Sequence, residues 1–270
     1  MLNPTPARSY LFVPGNRPGR FDKALRSAAE RVILDLEDAV PPAQKHQARV
    51  DVAAWLTDHR PERVLLRINA VGTPWHADDM KMLASLSFVG VMLPKAEPKP
   101  MAECLEVCGP REVIALVETV RGALDLRETA ALPGLQRMAF SSIDFALDSG
   151  MDDGVAGSGL DMVRVQIALH SRLAGLAPPI DGVCPDIHEL AAIAAEARRA
   201  RQLGFRGKLC IHPCQVGSVH SAFSPSVDEL DRARQIVDGF AAHHGEAFSL
   251  DGQMVDLPIV AHAQRLLGES

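Results

Sequence analysis

Eight short apolar runs, separated by amphipathic stretches, are the feature that most constrains how this chain folds. Several of the runs are almost continuously hydrophobic, as parallel strands buried on both faces are. The predicted strands lie at Tyr10–Val13, Arg31–Leu36, Arg63–Ile68, Val89–Leu93, Val113–Val117, Arg137–Phe140, Ile180–Val183 and Lys208–Ile211. Amphipathic segments between them, such as Arg20–Glu30, Pro42–Thr57 and Ile187–Leu203, predict helices. The chain therefore alternates strand and helix in right-handed β–α–β units.

The number of these units and the length of the chain favour one closed barrel. Eight units close into a (β/α)8 TIM barrel, the α/β fold that typically needs about 250 residues, and the chain has 270. An open doubly wound sheet is the alternative. We expect residues 1–242 to form the barrel. Residues 243–270, which contain GEAFSLDGQMVDLPIVAHAQRLL, are expected to be a C-terminal extension.

The bulk properties exclude several classes of partner. The formal net charge is −6 and no strongly basic stripe appears, so we expect no nucleic-acid partner. No apolar run reaches the roughly 20 residues that span a bilayer, and the N-terminus lacks the apolar core of a signal peptide, so we expect no membrane. Five scattered cysteines indicate reduced thiols and a cytoplasmic location.

Polar side chains follow nearly every predicted strand. In a barrel of this kind the active site lies at the carboxyl ends of the strands, so these side chains are expected to meet at one rim. They are Asn16, Arg17, Asp35, Glu37, Asp38, Arg67, Asn69, Lys95, Glu97, Glu118, Ser141, Ser142, Asp144, Asp181 and His212.

Three residues of this set carry specific alternatives. Glu118 and Asp144 end adjacent strands, and two carboxylates with water and substrate oxygens suit Mg²⁺, with Mn²⁺ as a second candidate ion. Either residue alone is equally consistent with a solvated strand end or a helix N-cap. Arg67 is placed to stabilise a substrate carboxylate or an enolate oxygen, or to form a structural salt bridge.

Two further rim residues are candidate reactive groups. Lys95 is a candidate Schiff-base lysine, but nearby acids are expected to keep its amine protonated and unreactive. His212 is a candidate base, although a histidine at a strand end is more often packed and hydrogen-bonded. The glycine-rich segment GVAGSG is expected to be a lid over the site.

An ordered set of motifs, one for each of most strands, resembles one known family. The motifs are LFVPGNRP, LDLEDAV, LLRIN, LPKAE, ETVRGALDL, SRLAGLAPPIDGV and GFRGKLCIHPCQ. Together they resemble the citrate lyase beta-subunit-like family of the HpcH/HpaI aldolase and citrate lyase superfamily. The resemblance runs from about Ser9 to the C-terminal tail.

The resemblance implies a barrel, usually trimeric, that cleaves or forms a bond between acetyl-CoA and an oxo acid. It implies that Glu118 and Asp144 bind magnesium and that Arg67 steadies the enolate oxygen. It implies that the tail aspartate of DGQMVDLP is an acid or base delivered to a neighbouring subunit. The remaining implied contacts are Arg17 and Lys23 at the CoA-facing edge and Glu37 and Asp38 around the metal waters; the tail aspartate is Asp256.

One position departs from the family pattern. The family usually has glycine where this chain has Ser141, so we expect the side chain either to narrow the substrate pocket or to add a hydroxyl contact. The alternative for Asp256 is a structural one, because it lies two residues before Pro258 and is suited to start a helix.

We therefore expect a magnesium-dependent carbon–carbon lyase that cleaves a 3-hydroxy acidic acyl-CoA to acetyl-CoA and an oxo acid. The compact form favours citramalyl-CoA, then malyl-CoA or citryl-CoA. Three alternatives stay open: a malyl-CoA thioesterase, a metal-dependent class II aldolase on free hydroxy-oxo acids, and a beta subunit of a multi-subunit citrate lyase. We expect a trimer or hexamer of identical chains.

Overall fold

Eight parallel strands form a closed barrel in the computed structural model, which describes residues 6–152 and 159–268. Each strand pairs with its neighbours in sequence, and the first pairs with the eighth. This order confirms the predicted α/β (β/α)8 barrel. The strands are β1 Ser9–Pro14, β2 Arg31–Asp35, β3 Val64–Arg67, β4 Gly90–Leu93, β5 Val113–Val117, β6 Arg137–Phe140, β7 Ala177–Asp181 and β8 Gly207–Cys210.

Helices connect the strands. In the barrel they are α1 Phe21–Leu25, α2 Lys45–His59, α3 His76–Ser85, α4 Pro98–Cys108, α5 Val120–Leu124, α6 Leu126–Ala130, α7 Ser142–Ser149, α8 Gly159–Leu173, α9 Leu190–Gln202 and α10 Gln215–Phe223. Short 3-10 turns at Pro18–Arg20 and Pro42–Gln44 precede α1 and α2. The segment GVAGSG, expected to be a lid, has its residues 154–158 outside the described residues.

Aliphatic side chains fill the barrel interior, contributed at alternate positions by every strand. They are Tyr10, Ile33, Leu65, Met92, Ile114, Leu116, Ala139, Ile180 and Leu209. Because side chains in a strand alternate between faces, the residue two positions later points the same way, toward the carboxyl rim. This period carries Asp35, Arg67 and Glu118 from the apolar interior to the rim.

Strand β7 begins three residues earlier than predicted, because two prolines obscured it. Pro178 and Pro179 lack the N–H groups that a central strand donates, so the segment does not look like a strand in sequence. The pairing of β6 with β7 shifts in register here, and the guanidinium of Arg137 donates to the carbonyls of both prolines. A buried side chain thus donates to β7 carbonyls where the pairing of β6 with β7 is irregular.

Arg137 also closes the amino-terminal end of the barrel. Its side chain is 2% exposed, and Nη1 donates to the Ala7 carbonyl at 2.6 Å and to the Tyr10 hydroxyl at 3.0 Å. Gly207 leaves room for it, since a Cβ there would lie 2.9 Å from Nη2. This arginine has a structural task at the end of the barrel opposite the rim.

A second compact unit begins at Ser221, and the expected C-terminal extension, residues 243–270, lies within it. It contains α11 Val227–Ala242, the hairpin strands β9 Phe248–Leu250 and β10 Gln253–Val255, and α12 Leu257–Gly268. Helix α11 packs on α12, which is why it groups with the tail. A capping box between Ser226 and Glu229 starts α11.

The described helices and thiols bear on two expectations. Within residues 6–152 and 159–268, none of the helices has the length and apolar character needed to cross a membrane. All five cysteines lie in the described residues, and each is a free thiol.

Replacing Arg137 with Met should destabilise the barrel unit severely. The change leaves buried carbonyls and the Tyr10 hydroxyl without their donor, and we expect a loss of about 3 kcal/mol or more in the free energy of unfolding. Urea denaturation of the purified chain measures it. Arg31→Met is the control: its ion pair with Glu112 is one-third exposed, so the loss should stay near 1 kcal/mol or below. Equal losses in both variants would contradict the structural role of Arg137.

Candidate active site

A buried ion pair organises the carboxyl rim of the barrel. Asp35 and Arg67 are direct partners in the β2–β3 register, so their side chains share one face. Nε and Nη2 of Arg67 each donate to one carboxylate oxygen of Asp35 at 2.7 Å. Burial raises the pKa of Asp35, but the charge and hydrogen bonds of Arg67 outweigh it and hold the pKa below its usual range. The pair is therefore ionised.

A second acid, Glu37, lies beside the remaining nitrogen of Arg67. Nη1 is 3.2 Å from Glu37 Oε2 and 3.5 Å from an oxygen of the exposed Asp38. Burial raises the pKa of Glu37 to about 8, and the neighbouring charge of Glu118 adds to this, against the opposing effect of Arg67. The guanidinium thus faces a cluster of acids.

Lys95 links Glu37 to Glu118. Its Nζ lies 3.1 Å from Glu37 Oε1 and 3.2 Å from Glu118 Oε1. Burial works to lower the pKa of Lys95, but the two carboxylates overcome it and raise the pKa above its ordinary value. The amine is a protonated ammonium, as the sequence argument expected, and a Schiff base at this residue does not fit the site.

Glu118 directly follows β5 and is almost wholly buried. Its Oε1 accepts from the backbone N–H of Lys95 at 2.9 Å and from Nζ, whereas its Oε2 is buried and makes no hydrogen bond. Burial raises the pKa of Glu118, and the nearby charge of Asp144 raises it further against the opposing effect of Lys95. The two carboxylates predicted to share an ion therefore influence each other.

Asp144 stands in the first turn of α7, after β6. One of its oxygens, Oδ2, accepts from the hydroxyl of Ser141 at 2.6 Å. Ser141 is buried and is the N-cap residue of α7. The hydroxyl that stands at the family's usual glycine position therefore contacts the acid three residues later.

The donor set fits a hard divalent cation that takes oxygen ligands. An unsatisfied buried carboxylate oxygen on Glu118, with a second carboxylate close enough to shift its pKa, is an environment that a cation relieves. In the part of the chain that the structure describes, no three His, Cys, Asp or Glu side chains group as a metal site. Water and substrate oxygens would thus complete the shell, as Mg²⁺ prefers.

The other predicted site residues belong to other elements of the chain. Arg17 and Lys23 are exposed, before and within α1 on the β1 side of the barrel. His212 contacts Cys214, with 2.9 Å between Nδ1 and Sγ. Asp256 belongs to the second compact unit, where it is half-buried directly before α12, and its backbone carbonyl accepts from the N–H of Val260. The roles assigned to these residues stay predictions.

Comparison with known proteins identifies the family. The family described as HpcH/HpaI aldolase/citrate lyase matches residues 8–213, which is well over half of the chain. This chain belongs to that family. The resemblance stated from the strand-end motifs is thereby confirmed.

Individual relatives span nearly the whole chain. A citrate lyase subunit beta-like protein of Mycobacterium tuberculosis is 40% identical over 263 residues, 96% of this chain and 93% of that protein. A (3S)-malyl-CoA thioesterase of Cereibacter sphaeroides is 31% identical, covering 97% of this chain and 94% of its own length. The crystal structure of the M. tuberculosis protein CitE with magnesium, acetoacetate and coenzyme A superimposes with a TM-score of 0.85 at 39% identity, over 97% of each chain.

Within this family member, sequence reasoning missed two features of the rim. Asp35 was recognised only as one polar strand end, although its spacing two residues after Ile33 already indicated an inward direction. The sequence pointed only to the side-chain amine of Lys95, whereas its backbone N–H makes the shorter contact with Glu118. The first had a signal in the strand period; the second depends on backbone geometry that sequence does not show.

Replacing Asp35 with Asn should strongly destabilise the barrel unit, because Arg67 keeps its buried charge and loses its bidentate partner. We expect a loss of about 3–5 kcal/mol in the free energy of unfolding at pH 7. The folded-state pKa of Asp35 is lowered, so its contribution is present above its ordinary pKa of 3.8 and is lost as the pH falls below it. Urea unfolding from pH 7 down to 3 should show the difference between wild type and variant shrinking at the acid end.

Asp38→Asn is the matched control, since Asp38 faces the same guanidinium from an exposed position at 3.5 Å. Its loss should be below about 1 kcal/mol. A wild-type-like Asp35→Asn variant at pH 7 would contradict the central place given to the pair.

Proposed function

We propose that this protein is a magnesium-dependent lyase that cleaves a 3-hydroxy acidic acyl-CoA to acetyl-CoA and an oxo acid. The observation that carries the proposal is the buried, unsatisfied Oε2 of Glu118 next to Asp144, at the rim where barrels of this fold hold their active sites. A solved relative in complex with magnesium, acetoacetate and coenzyme A supports this reading.

Glu118 and Asp144 are the proposed metal ligands. When bound, Mg²⁺ supplies a Lewis acid for the substrate's carboxylate and hydroxyl oxygens and lowers the pKa of that hydroxyl. Mn²⁺ takes the same kind of oxygen ligand and is the second candidate. Glu37 and Asp38 are proposed to hold waters around the ion, consistent with the raised pKa of Glu37, which favours a proton that it can donate.

Arg67 is the proposed stabiliser of the negative charge that develops on the thioester oxygen during cleavage. Asp35 holds two of its nitrogens, so the plane of the guanidinium is fixed. Phe12 lies against that plane, with 4.7 Å from Cζ to the ring centroid. The third nitrogen, Nη1, is directed to the acidic rim. A donor oriented before the reaction lowers the energy of an oxyanion without reorganisation.

Cationic residues on the β1 side suit the phosphates of coenzyme A. Arg17 and Lys23 are exposed and lie within one turn-and-helix segment. Arg and Lys are the usual phosphate partners in proteins. We propose that this segment is the CoA-facing edge, while Ser141 borders the acyl group.

Asp256 is the proposed acid or base at the acetyl methyl carbon. It is half-buried at the start of α12, between the exposed side chains of Met254 and Leu257. Exposed apolar residues beside an acid suit a segment that docks on another surface. We propose that a homo-oligomer, a trimer or hexamer, brings this segment to a neighbouring subunit, and that the protein acts in the cytoplasm, where its five free thiols stay reduced.

The acyl chain is the least constrained part of the proposal. We favour citramalyl-CoA, which releases pyruvate, ahead of malyl-CoA or citryl-CoA. A malyl-CoA thioesterase is the second candidate, because a relative of that name covers 97% of this chain. A class II aldolase on free hydroxy-oxo acids would use His212 as its base and no CoA. A beta subunit of a multi-subunit citrate lyase would need partner chains.

A product assay decides among these functions. Purified protein with Mg²⁺ is incubated with malyl-, citramalyl- and citryl-CoA, and products are identified by mass. We expect acetyl-CoA plus an oxo acid, with citramalyl-CoA the best substrate. Free hydroxy acid plus CoA indicates the thioesterase, and cleavage of only the free acids indicates the aldolase.

Glu118→Gln, which keeps the shape of the side chain, should abolish turnover, whereas Glu97→Gln should not. Activity that survives Glu118→Gln would overturn the metal assignment.

Mixing two inactive variants tests the tail. Asp256→Asn should lower kcat by at least about a hundredfold, as loss of a general acid or base does, and Glu118→Gln should abolish turnover because it removes a metal ligand. If Asp256 acts on a neighbouring subunit, dissociation and reassembly of a 1:1 mixture should restore about a quarter of wild-type activity, since that share of sites pairs an intact barrel with an intact tail. No recovery after verified subunit exchange places the tail in its own subunit's site, and a fully active Asp256→Asn removes it from catalysis.

A further inference from the structure

The two carboxylates of the proposed metal site share an asymmetry. Glu118 has two donors on Oε1, at 2.9 and 3.2 Å, while its Oε2 is buried without a hydrogen bond. Asp144 has the Ser141 hydroxyl on Oδ2 at 2.6 Å. In each residue one carboxylate oxygen thus accepts hydrogen bonds from another residue of the protein, and the other oxygen accepts none from the described residues.

The backbone of Lys95 is strained in a way that serves this contact. Its φ is +47°, a left-handed value that costs a residue with a side chain about 1–3 kcal/mol. The other non-glycine residues with positive φ in the described chain are Arg60, His244 and Asp251. Arg60 ends α2, and the other two lie in turns, where such values are common. Lys95 instead lies between β4 and α4, where the strained geometry directs its N–H at Glu118.

The Ser141 hydroxyl bonds to the Asp144 carboxylate and does not cap the helix that it begins. A serine at an N-cap usually accepts from the N–H groups of the first turn, and Thr119 does so at the start of α5. Ser141 makes no such bond at the start of α7, and its hydroxyl donates to the Asp144 carboxylate instead. The helix loses a cap, and the acid gains a fixed orientation.

We propose that Lys95 and Ser141 are positioning residues that set each metal carboxylate to offer a single oxygen. Lys95 holds Oε1 of Glu118 and leaves Oε2, and Ser141 holds Oδ2 of Asp144 and leaves Oδ1. The inference rests on the proposed magnesium site. Outer partners of this kind orient ligands, and their loss typically lowers metal affinity about 10–100-fold.

A competing role for Lys95 is that its ammonium occupies the place of the cation. The geometry argues against this role because Nζ contacts Oε1, whereas the atom without a hydrogen bond is Oε2. The two roles predict opposite effects of removing the charge.

Mn²⁺ binding to the full chain, followed by the electron paramagnetic resonance signal of the free ion, tests the proposal without turnover. Lys95→Met removes the Nζ donor and keeps the backbone N–H, so it should weaken Mn²⁺ affinity several-fold, and Ser141→Ala should weaken it about tenfold or more. Lys95→Arg and Ser141→Thr, which keep a donor, should recover most of it. Lys81→Met and Ser85→Ala are the controls: Lys81 pairs with Asp78 on the surface, and Ser85 donates to the Met82 carbonyl, so neither should change affinity.

Each outcome has one meaning. Unchanged affinity in Lys95→Met and Ser141→Ala, with wild-type binding intact, overturns the positioning role and leaves the proposed function standing. Tighter binding in Lys95→Met means that the ammonium competes with the ion, which also overturns it. Absence of Mn²⁺ and Mg²⁺ binding in the wild type overturns the metal site and the inference together. Thermal unfolding checks that each variant folds, and if Lys95→Met does not, the Ser141 pair decides.

Discussion

The bidentate pair between Asp35 and Arg67 is the interaction on which the rest of the rim depends. Carboxylates converge at one end of the barrel, and each loses hydration by being there. Arg67 neutralises the deepest of them with two nitrogens and turns the third toward Glu37. The ammonium of Lys95 then forms ion pairs with both Glu37 and Glu118. The cluster holds more carboxyl groups than cationic side chains, and the buried Oε2 of Glu118, which has no hydrogen bond, is the atom that a divalent cation would satisfy.

Two inward-facing arginines show how the barrel separates stability from function. Arg137 lies at the amino-terminal end of a strand and spends its donors on carbonyls and a tyrosine hydroxyl. Arg67 lies at the carboxyl end of another strand and spends its donors on acids. Both are buried, so burial alone does not distinguish their roles. Their positions do distinguish them, because in barrels of this fold the substrate-binding loops lie at the carboxyl rim.

Much of the fold and of the candidate site followed from local patterns. The apolar runs located eight strands, and the polar residues at their ends pointed to Arg67, Glu118 and Asp144. The misses have physical causes. The start of strand β7 was not predicted because its prolines lack ladder donors, and the Arg137 side chain from β6 that donates to their carbonyls is not visible in a local pattern. The grouping of α11 with the tail depends on its packing on α12, which its own amphipathic pattern does not show.

The sequence by itself determined the alternation of strand and helix, the polar ends of the strands and, through its ordered motifs, the family. These are properties of residue type and spacing, which local physics expresses in any context. Only the tertiary structure decided which atoms are in contact. Two nitrogens of Arg67 donate to Asp35, the backbone N–H of Lys95 donates to Glu118, and the Ser141 hydroxyl donates to Asp144. Such contacts join elements distant in sequence or depend on single backbone angles. Closing the barrel sets them, because closure brings the strand ends to one rim.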